Sequence, residues 1–299
     1  FMWIISISET NASLVLILKH LLMKKIAMKN SLFLALTVVT LIGCNSDDSK
    51  QELDSRNWQL TWSDEFEGTS GELPDATKWA FDTGTGNNGW GNQELQNYTN
   101  RPQNIAMDGN GNLVITALRE SYQGSQFTSA RIKTQNLFSQ TYGRFEARLK
   151  TPYGQGLWPA FWMLGSNVDT VTWPQCGEID IMELRGQKPS IVNGSLHGPG
   201  YSGGDAITGS YALRSNRFDV DFHIFAIEWN ADTVDYFVDG YLYQRFEKSD
   251  LPGEWVYDHP FFMILNVAVG GNFLGNPTPQ TPFPQKMTID YVRVYKEVN

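Results

Sequence analysis

Three carboxylates lie within the six residues from Glu178 to Glu183, in a segment that is otherwise apolar. In an extended strand, successive side chains point to opposite faces, so Glu178 and Asp180 share one face and the intervening isoleucines share the other. Strict alternation would place Glu183 on the apolar face, where an ionised carboxylate costs several kcal/mol unless it has a partner. One extra residue near Ile181–Met182, a β-bulge, would return Glu183 to the face of the other acids. The spacing therefore predicts a bulged strand that presents three acids on one face.

Such a cluster suits acid–base chemistry at a glycosidic bond. Like charges held this close cannot all ionise freely, so at least one carboxyl is expected to keep its proton through a raised pKa. One carboxyl then attacks or stabilises the anomeric carbon and another protonates the leaving oxygen, at a separation of about 5 to 5.5 Å in a retaining enzyme. The alternative is an edge strand with solvated acids, but it explains neither the third acid nor the aromatic residues nearby.

The acidic segment and its flanks resemble a known family. Residues 178–183 read Glu-Ile-Asp-Ile-Met-Glu, residues 157–164 read Leu-Trp-Pro-Ala-Phe-Trp-Met-Leu, and residues 194–198 read Gly-Ser-Leu-His-Gly. Together they resemble glycoside hydrolase family 16 and, within it, the laminarinase-like endo-β-1,3-glucanases. The resemblance extends from about Trp58 over most of the chain. The bulged spacing is similar to that of the laminarinase, agarase and carrageenase branches, whereas the lichenase branch has one residue fewer between the aspartate and the second glutamate.

The resemblance assigns a role to each acid. It implies that Glu178 is the nucleophile, that Asp180 assists and that Glu183 is the acid/base. Cys176 shares the face of Glu178 by parity, and we expect it to be a small packing residue rather than a second nucleophile, since no histidine is placed by sequence to activate it.

Aromatic residues near the acids indicate a sugar-binding groove. Trp158 and Trp162 are four residues apart and so lie on one face of a strand, although one of them could instead belong to the core. Arg131 matches a substrate-contacting arginine of the family, but an exposed strand arginine in a salt bridge would look identical. With the resemblance taken into account, the expected substrate-binding residues are Asn92, Glu94, Arg131, Trp158, Trp162, Trp173, His197 and Asn272.

The pattern of short strands and turns predicts an all-β fold. Many short strands and no convincing helical period favour a single curved β-sandwich, a jelly roll of the concanavalin A-like kind with the acids on the concave sheet. Asp239-Gly240 predicts a hairpin turn, and the apolar run Phe261–Val269 predicts a strand buried on both faces. The segment Gly89–Thr99 is too polar and glycine-rich for a core strand and is expected to be a loop. The last strand, Met287–Tyr295, is expected to close a sheet.

The histidines show no metal-ligand spacing, and no cofactor is expected for catalysis. By resemblance, a structural calcium ion would bind Glu65, the carbonyl of Gly111 and Asp290 on the convex side, away from the acids. No calcium-binding loop is apparent in the sequence itself.

The N-terminal region is typical of an exported lipoprotein. We expect residues 1–43 to comprise an upstream extension and a signal peptide that begins at Met23 or Met28, with lysines followed by an apolar run. Cys44 ends a segment that resembles a lipobox, which implies lipidation, a flexible tether over residues 44–56 and a catalytic domain over residues 57–299. The expected location is the bacterial cell envelope, with the outer membrane favoured. The alternative is an ordinary signal peptide with a chance cysteine.

The net charge of −9 argues against a nucleic-acid partner and is compatible with a neutral polysaccharide. The sequence therefore predicts a monomeric, endo-acting, retaining β-1,3-glucanase for laminarin-type β-glucan. One alternative is an agarase-, porphyranase- or carrageenase-like hydrolase on the same scaffold. Another is a glycan-binding surface lipoprotein without catalysis, and a third is a structural envelope protein, which would explain the anchor but not the acids.

Overall fold

Two β-sheets build the fold of residues 56–298, which with Gln51 are the part of the chain described by the computed structural model. Residues 56–298 belong to a compact unit, Leu53–Asn299. The predicted signal peptide, the lipidation site Cys44 and all of the predicted tether except Gln51 and Arg56 lie outside the described residues.

The larger sheet is antiparallel except for one parallel pair, β3 with β6. It has ten strands, which in spatial order are β15 (Tyr241–Glu247), β14 (Thr233–Val238), β13 (His223–Trp229), β8 (Gly143–Lys150), β17 (Gln285–Val298), β5 (Leu113–Tyr122), β6 (Ser125–Ser129) and β3 (Gln96–Tyr98), with β1 (Asn57–Asp64) on β17 and β4 (Ile105–Met107) on β5.

The smaller sheet is antiparallel throughout and carries the three acids on an interior strand, the third from one edge. It has seven strands, which in spatial order are β12 (Ile207–Ala212), β11 (Ile191–His197), β10 (Glu178–Leu184), β9 (Leu157–Gly165), β16 (Phe261–Val269), β7 (Arg131–Lys133) and β2 (Ala80–Asp82).

Alternating apolar side chains from both sheets form one core. Phe145, Ala147 and Leu149 of β8 are fully buried, as are Ile179 and Ile181 of β10. Removing such side chains from water is the main force that holds the sheets together. The predicted all-β jelly-roll sandwich is confirmed.

Helical structure is minor in the described part of the chain. It consists of a π-type turn and two 3₁₀ turns, Gly89–Gln93, Gly203–Asp205 and Lys248–Asp250. Among the described residues, no helix has the length and apolarity required to cross a bilayer.

Two predicted strand features are confirmed. Asp239 and Gly240 join β14 to β15 with φ angles of 52° and 81°, as a tight hairpin turn requires. Strand β16 is buried at every position, because one face packs into the core and Asn266 on the other face is hydrogen-bonded to Trp162 and Tyr98.

Two other predictions were wrong. The segment expected to be a loop, Gly89–Thr99, contains β3, whose three residues are all buried. Their polar side chains could be buried because they are hydrogen-bonded, a condition that composition does not reveal. The final strand, β17, does not close a sheet but lies inside the larger one, between β8 on one side and β5 and β1 on the other.

Candidate active site

The predicted bulge in β10 is present and brings Glu183 to the face of the other acids. Asp180 is paired with Trp162 of β9, but the next pair is Met182 with Phe161, so Ile181 is an extra residue on β10. Residues paired across antiparallel strands point to the same face. The face of the smaller sheet that bears Glu178, Asp180 and Glu183 is called the acid face below.

Each acid has its own set of partners. Glu183 is 8% exposed and accepts a hydrogen bond of 2.8 Å from Trp158 Nε1. Asp180 is 2% exposed, and its Oδ2 lies 2.9 Å from His197 Nε2. Glu178 accepts a hydrogen bond from the side chain of Trp173, and its Oε1 lies 3.6 Å from His197 Nε2.

Burial shifts both glutamates towards the protonated form. Burial and the neighbouring charge of Asp180 raise the pKa of Glu178 to about 8 and hold the pKa of Glu183 well above its usual range. Hydrogen bonds from the indole of Trp173 to Glu178 and from the indole of Trp158 to Glu183 oppose these shifts without cancelling them. A carboxyl that keeps its proton near neutral pH is what a general acid requires.

The predicted aromatic residues lie beside the acids. Trp158 and Trp162 are both partly exposed on the acid face and neither belongs to the core, so the core alternative is wrong for both. Trp158 also packs on Phe273, with ring centroids 4.8 Å apart. Trp173, which is 43% exposed, lies 6.0 Å from the His197 ring.

Arg131 lies between two indole rings. Its guanidinium carbon is 4.8 Å from the ring centroids of both Trp90 and Trp162, and its Nε is 2.9 Å from Asp82. The salt bridge of the alternative interpretation is therefore present, but the side chain is mostly buried rather than exposed. The stacked guanidinium fixes both rings at the side of the acid face.

Asn92, Glu94 and Asn272 converge at the rim of the site. The Asn272 N–H donates to the Asn92 carbonyl at 2.8 Å, and the Asn92 amide lies 3.4 Å from Glu94 Oε1. Glu94 also accepts a hydrogen bond of 2.6 Å from Gln96, and burial raises its pKa. The side chains of Glu94 and Trp158 both lie beside Gly271. The Asn272 side chain itself is exposed.

Several residues of the acid face were missed from the sequence. Asn266 is the one polar residue of β16 and is 6% exposed; it accepts from Trp162 Nε1 at 2.8 Å and donates to the Tyr98 hydroxyl at 3.1 Å. A lone asparagine in an apolar strand was the available signal. Asn193 and Ser195 oppose Glu183 and Asp180 on β11, and their spacing of two before His197 could have placed them there.

Cys176 is buried and free, in agreement with a packing role. Burial, and then the charge of Glu178, raise the pKa of its thiol to about 11, so the reactive thiolate is disfavoured.

The two carboxylates expected to bind calcium lie just after the end of β1 and on its neighbour β17, but each is already paired with an arginine. Glu65 accepts two hydrogen bonds from Arg293, at 3.0 and 2.8 Å, and Asp290 is paired with Arg148. Along β17, strand β5 pairs up to Ile289 and strand β1 pairs from Val292, so Asp290 lies between the two pairings, and Gly111 lies two residues before β5. A cation there would have to compete with both arginines, so these side chains as arranged do not form a calcium cage.

Comparisons with known proteins agree with this geometry. The model of the family described as Glycosyl hydrolases family 16 matches residues 92–293. A beta-glucanase from Rhodothermus marinus is 42% identical over 275 residues, which cover 88% of this chain and 94% of that protein. The laminarinase catalytic domain from Thermotoga maritima is 49% identical, with a TM-score of 0.76 and coverage of 81% of this chain and 100% of that one. An endo-beta-1,3-glucanase from Pyrococcus furiosus is 46% identical, with a TM-score of 0.78 and coverage of 83% and 98%.

Proposed function

The chain belongs to glycosyl hydrolase family 16, and we propose that it cleaves internal β-1,3-glucosidic bonds of laminarin-type β-glucan with retention of configuration. The observation that carries the proposal is the bulge at Ile181, which gathers Glu178, Asp180 and Glu183 on one face. Like other glucanases of this family, the enzyme needs no cofactor for catalysis. The beta-glucanase and laminarinase names of its relatives support the choice of substrate.

The two glutamates divide the chemistry. In the first step, a Glu178 carboxylate oxygen forms a bond to the anomeric carbon while the bond to the leaving oxygen breaks and Glu183 donates its proton to that oxygen. In the second step, Glu183 accepts a proton from water, whose oxygen displaces Glu178. Asp180 lies between the two glutamates along β10. Its negative charge raises the pKa of Glu183 and so favours the proton on that residue in the resting enzyme.

The acid face has room for a polymer. Side chains from five neighbouring strands, from β7 through β16, β9 and β10 to β11, contribute to it, which spans about 20 Å at the usual strand spacing. Indole rings and Arg131 lie on one side of the acids, and Asn193 and Ser195 on the other. An extended surface of this kind suits cleavage within a chain rather than at its end.

The proposal is tested by incubating the purified protein with laminarin, agarose and carrageenan. We expect laminarin alone to be shortened rapidly, with a mixture of oligosaccharides formed early, as internal cleavage requires. NMR of the first reducing ends should show the β anomer before mutarotation. Cleavage of agarose or carrageenan in place of laminarin would support the alternative hydrolases, and binding without cleavage would support a lectin.

We further propose that the protein is anchored to the cell envelope through a lipid on Cys44, as a monomer. The support is the sequence pattern of residues 23–44, with basic residues, an apolar run and the terminal Gly-Cys. Mass spectrometry of the protein expressed in a bacterial host, with Cys44→Ser as the control, would detect the acyl chains. A mature N-terminus at any other residue would contradict the anchor.

Structural calcium at Glu65, Gly111 and Asp290 is proposed only by family resemblance, since both carboxylates have arginine partners. Thermal unfolding with calcium and with a chelator tests it. A rise in Tm with calcium that is lost in Asp290→Ala would support the site. An unchanged Tm would exclude it.

A further inference from the structure

The two ring nitrogens of His197 face different partners. Nε2 lies 2.9 Å from Asp180 Oδ2 and 3.6 Å from Glu178 Oε1. On the other side of the ring, the backbone N–H of Gly203 donates a hydrogen bond of 3.0 Å to Nδ1. A nitrogen that accepts a hydrogen bond has its lone pair free, so the proton of a neutral ring must be on Nε2.

We propose that the Gly203 amide acts as a positioning group that keeps His197 in the neutral Nε2–H form. His197 then presents a single N–H to the acids, and it neither carries a second proton nor binds a metal ion. The catalytic consequence rests on the proposed hydrolase function, whereas the position of the proton is a property of the free protein.

The segment that carries Gly203 is held in place. Gly198 and Tyr201 exchange two backbone hydrogen bonds, of 3.0 and 3.1 Å. The Tyr201 side chain is fully buried, and its hydroxyl donates to the Glu254 carbonyl at 2.7 Å. Gly203 has a φ of +60°, a conformation that glycine adopts without steric cost. The amide is therefore fixed relative to the ring.

Electrostatics and hydrogen bonding act on His197 in opposite directions. Burial opposes a second proton, but with all three carboxyls ionised the charges of Asp180, Glu178 and Glu183 outweigh burial and raise the pKa of the imidazole to about 10. That attraction requires ionised carboxyls, whereas burial raises the pKa of both glutamates. The Trp173 ring, 6.0 Å from the imidazole, is uncharged.

A second proton would also oppose the Gly203 amide. It would place two N–H donors against each other across the 3.0 Å between Nδ1 and the amide nitrogen, in a site where His197 is only 9% exposed. A buried donor that loses its acceptor carries the full cost of its desolvation. The cation would therefore require Gly203 to move away from the ring.

The same contact argues against a metal centre at the acids. One ligand atom from each of Glu178, Asp180 and His197 lies within 4.8 Å of the others, a spacing compatible with a divalent ion. An imidazole that binds a metal through Nε2 keeps its proton on Nδ1. The Gly203 N–H occupies that position, so the arrangement disfavours a metal ion bound through Nε2.

The tautomer is measured directly by long-range ¹H–¹⁵N NMR of the histidine rings in the full-length protein, with His197→Gln to assign the signal. We expect Nε2 protonated and Nδ1 unprotonated from pH 5 to 8, with no change when Zn²⁺ is added. Two protonated nitrogens at pH 7, a proton on Nδ1, or loss of the Nε2 proton with Zn²⁺ would overturn the proposal. If His197 has the expected tautomer but the enzyme cleaves a polysaccharide other than laminarin, only the proposed function is contradicted.

Two substitutions test whether His197 acts as an uncharged N–H donor or as a cation. His197→Gln keeps an uncharged N–H near the Nε2 position, and His197→Met keeps bulk without a donor. We expect kcat to fall less than about tenfold in the glutamine variant and about 10- to 100-fold in the methionine variant, as for loss of a hydrogen bond to a charged group. Equal losses in both, with a shifted pH profile in the glutamine variant, would indicate that the charge is required.

Replacing the Gly203 amide by an ester, through incorporation of glycolic acid at position 203, removes the N–H and permits the φ of +60° that proline could not adopt. We expect His197 in this protein to take up a second proton at neutral pH in the same NMR experiment. An unchanged tautomer in the folded ester protein would show that the amide does not control it.

Discussion

The indole N–H of Trp158 donates to Glu183 Oε1 at 2.8 Å, whereas the indole N–H of Trp162, on the same face of β9, donates to Asn266. The two tryptophans are therefore not equivalent. The first touches the proposed acid/base and the second supports the neighbouring strand β16. This difference allows the indole–acid contact to be tested against a matched control.

Replacing Trp158 by Phe should shift the alkaline limb of the pH profile. The indole donor lowers the pKa of Glu183, so its removal raises that pKa and the acid keeps its proton to higher pH. We expect the alkaline limb of kcat/KM to move to higher pH and kcat to fall about tenfold through poorer positioning. Trp162→Phe should leave that limb in place. Equal shifts in both variants would contradict the role of the contact.

Neutralising Asp180 should move both limbs in the same direction. Its charge raises the pKa of Glu178 and of Glu183, so Asp180→Asn lowers both. The acid limb, which reports ionisation of Glu178, and the alkaline limb, which reports loss of the Glu183 proton, should both move to lower pH. The measurement is kcat/KM from pH 4 to 10. If the limbs stay in place or move to higher pH, the charge of Asp180 does not raise the pKa values of the two glutamates.

Glu183→Gln should inactivate the enzyme but stabilise the fold at neutral pH. Because the folded-state pKa of Glu183 is raised, the unfolded chain releases this proton first, and stability falls as pH rises above the ordinary value of 4.5. Glutamine avoids this loss and keeps an oxygen for Trp158. We expect activity to fall about 10²- to 10⁴-fold. The Tm should exceed that of the wild type at pH 7 and match it at pH 4. A Tm below that of the wild type at pH 7 would contradict a raised pKa for Glu183 in the folded protein.

Arg131→Lys should weaken substrate binding more than chemistry. A lysine cannot stack its charge flat between Trp90 and Trp162, so the ring positions at the side of the acid face loosen. We expect KM to rise about threefold to tenfold with a smaller change in kcat, in line with the modest energy of such contacts. Arg119→Lys, which loses similar stacking on Phe127 and Phe283, is the control and should leave KM unchanged.

The sequence was sufficient for features that depend on local pattern. The bulge at Ile181 followed from the parity of Glu178 and Glu183 together with the cost of a buried charge, and the hairpin at Asp239-Gly240 followed from turn chemistry. In both cases the physical constraint acts within a few residues. The partners of Trp158 and Trp162 did not follow, since parity gives the face of a side chain and not the atom that its N–H meets.

Features that depend on distant residues were missed. Strand β3 is polar yet buried, because Gln96 and Tyr98 find partners in Glu94, Val269 and Asn266. The interior position of β17 depends on pairing with strands far away in the chain. The contact between Gly203 and His197 joins a loop to a strand end, and no sequence pattern marks it.

The central claim, that Glu178 attacks the anomeric carbon while Glu183 carries the proton, is tested most directly by trapping the glycosyl-enzyme. An activated 2-deoxy-2-fluoro-β-laminaribioside should form the covalent species and release it slowly, and peptide mass spectrometry then locates the sugar. We predict one fluorolaminaribiosyl group per chain, attached to Glu178 and absent in Glu178→Ala. A sugar attached to Glu183 or Asp180, or full hydrolysis of laminarin by the Glu178→Ala protein, would contradict the mechanism.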